Sequence, residues 1–219
     1  MKNKFIQIAI DGPAAAGKST VAKLMAKKMQ YVYIDTGAMY RAITWAALNS
    51  GINIEDEKAI MMLLAETDII LTLNGKVLVN NLDVTDEIRQ TDVTSLVSQV
   101  ATYASIREDL KKRQVELANS ANVIMDGRDI GTNVLPNADF KFFMIADAHV
   151  RAKRRHKENE AKGIVSTIEQ LEADIKKRDE MDINRAHSPL KQAHDAILID
   201  TSTFSINEVV DKMVGYVLK

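Results

Sequence analysis

The sequence predicts an α/β protein in which a parallel sheet is sandwiched between helices. Five apolar runs, at residues 5–10, 31–35, 123–126, 140–145 and 196–200, carry strand character. They are near-continuous rather than alternating, the pattern of strands covered on both faces. Helical patterns separate most of them, as a parallel sheet with helical crossovers requires. Four of the runs end in polar segments: the stretch from Gly12, Asp35-Thr36-Gly37, Asp126-Gly127-Arg128-Asp129 and Asp200-Thr201-Ser202-Thr203. Sheets of this class hold ligands outside the carboxyl ends of their strands, so the polar chemistry gathers where a site is expected.

The first run leads into Gly12-Pro13-Ala14-Ala15-Ala16-Gly17-Lys18-Ser19, which matches the phosphate-loop pattern G-x-x-x-x-G-K-[ST]. Val21, Leu24, Met25 and Met29 then continue at helical spacing. Strand, glycine loop and helix are the context in which the pattern has a mechanism. Glycines let backbone N–H groups turn inward toward phosphate oxygens, and the helix N-terminus adds positive potential. Lys18 is expected at the β- and γ-phosphates and the Ser19 hydroxyl at Mg²⁺, so the chain is expected to bind a nucleoside triphosphate.

Between residues 67 and 86 the rhythm breaks. Apolar stretches at 69–73 and 76–79 flank Asn74-Gly75, the signal of a hairpin with a two-residue turn, and a third short strand is expected near 82–84. Helical patterns follow at 92–103 and 105–118, the second opened by an expected capping box of Ser105 with Glu108. This reads as a small antiparallel insert beside the active-site edge, placed to cover a substrate. The densest charge run, Arg151-Ala152-Lys153-Arg154-Arg155-His156-Lys157, is either a solvated helix face or a mobile basic segment that closes over a triphosphate. Arg151, Arg154 and Arg155 share one face of that helix.

Composition narrows the function classes. With 46% hydrophobic and 27% charged residues the chain has the makeup of a soluble globular protein. Its formal net charge of −1 argues against a nucleic-acid-binding surface spread over the whole molecule. There is no cysteine, which excludes disulfides, thiolate catalysis and cysteine-ligated zinc. The four histidines lack a metal-ligand spacing and are read as solvated or structural. No signal peptide is expected and no apolar run is long enough to span a bilayer, so a cytoplasmic, monomeric enzyme with no membrane or nucleic-acid partner is the expectation.

Phosphoryl transfer is favoured over a nucleotide switch. An Asn-Lys-x-Asp stretch for reading guanine is absent, while Arg41, Arg107, Arg128, Arg178 and Arg185 stand near expected strand ends and helix starts. Two phosphorylated substrates meeting head to head need such fixed charge, and the planar guanidinium binds phosphate at two points. Arg178, Asp182 and Arg185 fall at i, i+4 and i+7, which is either a surface salt-bridge face or a preorganised polar surface for a ribose and base. Arg107 lies in the first turn of its expected helix, where the dipole disfavours a cation, so it needs an anionic partner such as Glu108 or a ligand. Asp126 ends its strand either to hold Mg²⁺ through water or to cap the following turn.

Four blocks, Ile10-Asp11-Gly12-Pro13 running into the phosphate loop, Asp35-Thr36-Gly37-Ala38-Met39-Tyr40-Arg41, Asp126-Gly127-Arg128-Asp129-Ile130-Gly131-Thr132, and Arg178-Asp179 through Asn184-Arg185, together resemble the bacterial cytidylate kinase family. The resemblance spans essentially the whole chain, with the blocks in the family's order. It implies the P-loop nucleoside monophosphate kinase fold: a five-stranded parallel sheet flanked by helices, with a small antiparallel β insert and a helical lid. One domain, residues 1–219, would comprise a core (about 1–62, 104–150 and 166–219), an insert (about 63–103) and a lid (about 151–165). The implied activity moves the γ-phosphoryl group of ATP, with Mg²⁺, to CMP or dCMP. Ile10, Asp11, Gly12, Pro13, Ala14, Ala15, Ala16, Gly17, Lys18, Ser19 and Thr20 would bind ATP. Arg41 and Arg128 would hold the acceptor phosphate, with Thr36 supplying a hydroxyl. Ser98, Arg107 and Asp129 would contact cytosine, and Arg178, Asp182 and Arg185 the pentose and base. Lys18, Arg128, Arg154 and Arg155 are the expected catalytic set, with no strong base, because the attacking phosphate oxygen is already an anion.

Overall fold

The computed structural model describes residues 4–161 and 163–218; Lys162 of the expected lid, and residues 1–3 and 219 at the ends of the expected domain, lie outside the described residues. All five expected core strands form, as β1 (Gln7–Asp11), β2 (Val32–Asp35), β6 (Val123–Gly127), β7 (Phe140–Ile145) and β8 (Ile197–Asp200). They make one parallel sheet in the order β2-β6-β1-β7-β8. Alternation on the inner strands explains why the runs read as continuous. Ile8, Ile10, Ile124, Phe142 and Met144 pack on one face against α1 (Lys18–Met29) and α8 (Ile206–Val217). Ala9, Val123 and Met125 pack on the other with Ile34, Ala118, Ile130 and Val134. Both faces are dry, so both need apolar side chains.

The connection after β1 leads to one side of the sheet, to β2, and the connection after β7 leads to the other, to β8. Adjacent strand ends whose connections part in this way open a crevice at their carboxyl edge. The phosphate loop stands there.

A second sheet, β3 (Ile69–Leu71), β4 (Val77–Val79) and β5 (Leu82–Asp83), is antiparallel and sits beside α2 (Thr36–Asn49), α3 (Glu57–Ala65), α4 (Thr91–Val100) and α5 (Ala104–Ala118). Ala42, Ile43, Ile60, Leu64, Val77, Ile88, Ile106 and Leu110 form its core. The hairpin differs in its loop from the two-residue turn expected. Thr72 N–H donates to Lys76 O and Gly75 N–H to Thr72 O, so Leu73, Asn74 and Gly75 form a three-residue loop with Gly75 at φ +84°. That is a turn followed by a left-handed glycine, and the Thr72 hydroxyl supports it by accepting from Lys76 N–H.

The capping box at Ser105 does not form. Tyr103 precedes α5, and Ser105 Oγ donates to Glu57 Oε1 on α3 instead. Two more helices complete the molecule, α6 (Ala148–Ala161) and α7 (Ile168–Asn184), packed against each other. Because α7 ends at Asn184, Arg185 lies just past it with extended backbone, and the expected i+7 position is not helical.

Candidate active site

Between β1 and α1 the phosphate loop adopts conformations that its small residues permit. Gly12 has φ +146°, and a Cβ there would stand 2.0 Å from the carbonyl oxygen of Met144 at the end of β7. Gly17, at φ +87°, turns the chain into α1. Lys18 is buried and its Nζ donates to Pro13 O at 2.7 Å. Burial first, and the Arg128 charge next, push the Lys18 pKa down to about 7. Ser19 and Thr20 are exposed in the first turn of α1.

At the neighbouring strand end Asp126 is buried opposite both Ile10 and Asp35 in the sheet. Its Oδ2 accepts from Ser19 Oγ at 2.9 Å and its Oδ1 from Tyr33 OH at 2.7 Å, so the carboxylate turns to the phosphate loop rather than capping its own turn. Burial, with Asp35 adding to it, raises the Asp126 pKa. A hydroxyl and a carboxylate oxygen side by side at a phosphate loop are the hard donors that Mg²⁺ prefers.

Two members of the expected ATP set are tied into the framework. Ile10 is fully buried in the sheet core. Asp11 accepts from Ile130 N–H at 2.8 Å and Gly131 N–H at 2.7 Å, anchoring the π-helical turn Ile130–Val134. Burial raises its pKa to about 6 against those two hydrogen bonds.

Opposite the loop, arginines from four elements converge. Asp35 caps α2 through Ala38 N–H and pairs with Arg41 at 3.0 Å and Arg89 at 3.6 Å. Burial alone would raise Asp35, but the Arg41 and Arg89 charges outweigh it and lower its pKa. Arg128 Nε donates to Asp182 Oδ2 at 2.8 Å. Arg178, on α7, is held down to a pKa of about 10 by burial and then by Arg128, with Arg41 and Arg155 contributing. The buried Nε atoms of Arg178 and Arg41 have no hydrogen-bond partner among the described residues. The Thr36 hydroxyl, by contrast, donates to Asp126 O at 2.7 Å.

Deeper in lies a second cluster. Asp129 is buried between Arg107, whose Nη2 donates to Oδ2, and Arg185, whose Nη2 reaches Oδ1 at 3.1 Å. Arg185 also stands 3.9 Å from Asp182. The partner expected for Arg107 near the start of its helix is therefore Asp129, while Glu108 pairs with Lys112. The Arg107 guanidinium sits 5.6 Å from the Tyr40 ring, and burial raises the Tyr40 pKa to about 12 against the lowering effect of the Arg107 charge. Ser98 is half-buried on α4.

The expected lid arginines separate. Arg151 is buried, pairs with Asp179 at 2.7 Å and donates to Ala14 O at 2.9 Å, which ties this end of the helix to the phosphate loop. Arg154 is bound to the hydroxyl and carbonyl of Thr201, in the segment after β8. Arg155 is the exposed one of the three, with Glu158 at 3.6 Å. Sequence reasoning missed Asp35, Tyr33, Arg89, Asp179 and Thr201 as members of this region. Asp35, Asp179 and Thr201 stood inside quoted motifs without a role, whereas nothing in the local pattern marks Tyr33 or Arg89.

The model of the cytidylate kinase family matches residues 8–219. The chain is 54% identical over 213 residues to the cytidylate kinase of Anoxybacillus flavithermus, covering 96% of this chain and 95% of that one. It is 54% identical over 214 residues to that of Listeria monocytogenes, covering 97% and 96%. Among solved structures it resembles an uncharacterized protein from Eubacterium ventriosum (TM-score 0.53, 15% identity, 97% of this chain and 98% of that one). It also resembles a shikimate kinase from Bacteroides thetaiotaomicron (TM-score 0.50, 15% identity, 98% and 99%), a likeness of fold alone. With a phosphate loop facing a cluster of arginines, and with the family's model and its relatives matched over nearly the full length, the chain belongs to the cytidylate kinase family.

Proposed function

We propose that the chain transfers the γ-phosphoryl group of ATP to CMP or dCMP, giving ADP and CDP or dCDP. One observation carries this reading: Arg178 lies within electrostatic reach of Arg128, Arg41 and Arg155, and Lys18 within reach of Arg128 and Arg178, while the buried Nε atoms of Arg178 and Arg41 have no hydrogen-bond partner among the described residues. Like charges desolvated together at that density call for a multiply charged anion between them.

In this reading the loop from Gly12 to Thr20 cradles the donor phosphates through its backbone N–H groups, and Lys18, held at Pro13 O by one of its three N–H bonds, turns the others to the β- and γ-oxygens. Arg41, Arg128 and Arg178 hold the acceptor phosphate so that its oxygen lies in line with the γ-phosphorus, while Arg154 and Arg155 complete the positive wall on the donor side. The proposed catalytic set remains Lys18, Arg128, Arg154 and Arg155. Bond formation from the acceptor oxygen and cleavage toward ADP need alignment and charge neutralisation rather than a base. Ser19, and Asp126 through water, would hold Mg²⁺, which when bound neutralises phosphate charge. Base recognition falls to Arg107, Asp129 and Arg185, with Ser98 at its edge. A carboxylate accepts from the 4-amino group of cytosine and guanidinium groups donate to its carbonyl and ring nitrogen, whereas uracil would turn a carbonyl toward Asp129. Asp182 takes the pentose and Thr36 lies beside the acceptor phosphate. The proposed division is a core, an insert (about 63–103) and a lid (about 151–165), and the enzyme acts as a cytoplasmic monomer without a nucleic-acid or membrane partner. No helix among the described residues is long and apolar enough to cross a membrane.

ADP production with ATP, Mg²⁺ and each of CMP, dCMP, UMP and AMP tests the reading. CMP and dCMP are expected to turn over fastest, and Arg185→Met to lose about 10- to 100-fold in kcat/KM for CMP, the size of a lost hydrogen bond to a charged group. Acceptor-independent ADP, or none at all, would indicate a nucleotide switch.

A further inference from the structure

A single peptide group in the phosphate loop is held at both ends by charge. The carbonyl of Pro13 accepts from Lys18 Nζ at 2.7 Å, and the N–H of the same peptide, on Ala14, donates to Asp179 Oδ1 at 3.2 Å. The carbonyl of Ala14 in turn accepts from Arg151 Nη1 at 2.9 Å, and Arg151 pairs with Asp179 Oδ2 at 2.7 Å. Arg151 Nε is tied to Ala146 O at the end of β7, which roots the assembly in the central sheet. Ala14, Asp179 and Arg151 thus form a closed ring with almost no access to water, since the side chains of Arg151 and Asp179 are 7% and 13% exposed.

This ring joins the two halves of the site. Asp179 follows Arg178 on α7, and the buried Arg178 Nε has no hydrogen-bond partner among the described residues while Arg128, Arg41 and Arg155 act on it by charge. One residue of the helix therefore grips the donor loop while its neighbour points into the cationic cluster. Because a helix is stiff over one residue, the grip of Asp179 on Ala14 N–H fixes where the loop, and Lys18 with it, stands relative to Arg178, and its loss frees the loop rather than the helix. Among the described residues Asp179 makes no hydrogen bond to an arginine of the cluster, although its charge reaches Arg128.

We propose that Asp179, locked by Arg151, is a positioning residue that sets the Pro13–Ala14 peptide, and through it Lys18, in register with Arg178. The proposal rests on the phosphoryl-transfer reading above. In-line transfer is sensitive to misplacement of about 1 Å, to the extent of about 100-fold in rate. Loosening the ring should therefore lower kcat while the acceptor, held by groups outside the ring, binds as before.

The test is steady-state kinetics on the full chain with ATP and CMP, together with thermal unfolding of each protein. Asp179→Ala is expected to lose at least 10-fold in kcat with KM for CMP within about three-fold of the parent. Asp179→Asn keeps an acceptor for Ala14 N–H and is expected to recover part of that loss. Arg151→Met, which removes the other arm of the ring, is expected to show the same split between kcat and KM, and it decides the matter if Asp179→Ala does not fold. Folded variants with kcat within three-fold of the parent, or with the loss carried by KM for CMP, overturn the proposal. A parent chain without kinase activity overturns the functional reading instead.

Discussion

Lys18 is the residue where burial and function meet most directly. A lysine pushed down to about 7 is largely neutral at pH 8 before nucleotide binds, with burial the first cause and Arg128 the second. Phosphate oxygens favour its charged form, so the pKa rises on binding and a proton is taken up. The sign follows: ATP affinity falls as pH rises above about 7, and uptake approaches about one proton at pH 8 and vanishes toward pH 6. Calorimetry of ATP binding in buffers of different ionisation enthalpy should show this uptake in the parent and not in Lys18→Met. The same variant is expected to lose about 100- to 1000-fold in kcat, the usual cost of removing a preorganised charge partner in a site closed to water. Equal proton uptake in the two proteins would remove Lys18 from the phosphate site. The position of this lysine was legible because its motif is local. Asp11 and Ile10, one and two residues before the loop, were grouped with it for the same reason, and in the fold both also serve the framework.

At the scale of elements, α6 shows how one charge run is divided among three tasks. Helical spacing puts Arg151, Arg154 and Arg155 on a shared side, but what each meets depends on α7, the phosphate loop and the segment after β8. Arg155, exposed and paired only weakly at 3.6 Å, is freer to swing toward a phosphate than Arg154, which is tied to Thr201. Arg155→Ala is expected to lower kcat about 10-fold or more with ATP affinity within about two-fold, because its contact would form mainly in the transition state. Arg154→Ala, which releases the Thr201 segment, is expected to lower the melting temperature and weaken ATP binding. Kinetics beside direct ATP titration separates the two, and the reverse pattern would exchange their roles. The hairpin is a milder case. Asn74-Gly75 located the turn correctly, while the Thr72–Lys76 pairing made it one residue longer.

Across the whole molecule the cationic cluster is a liability to folding that an anion should relieve. Arg178 is depressed to about 10 and Lys18 to about 7, chiefly by burial, with neighbouring positive charges adding to it. An anion that binds only the folded chain stabilises it by about 2.7 kcal/mol at 100 times its Kd. For a protein of this size that is roughly 5–10 °C in melting temperature. Phosphate or sulfate is therefore expected to raise the melting temperature well beyond sodium chloride of equal ionic strength, and ATP with CMP to raise it further. Equal effects of sulfate and chloride would mean that the cluster holds no anion.

The five strands, the phosphate loop and most helices could be read along the chain because hydrophobic periodicity and backbone chemistry act over a few residues. The arginines were legible as a group for a simpler reason: so many fixed charges near strand ends have few uses. Their partners were not. Arg107 with Asp129, Arg128 with Asp182 and Arg151 with Asp179 are 22, 54 and 28 residues apart. Choosing among thirty acidic residues for each requires the packing that brings α5, β6 and α7 to one crevice. Burial decided the rest. The same carboxylate chemistry makes Asp126 a neighbour of the phosphate loop and Asp11 a brace for a turn, and only the three-dimensional surroundings of each distinguish them.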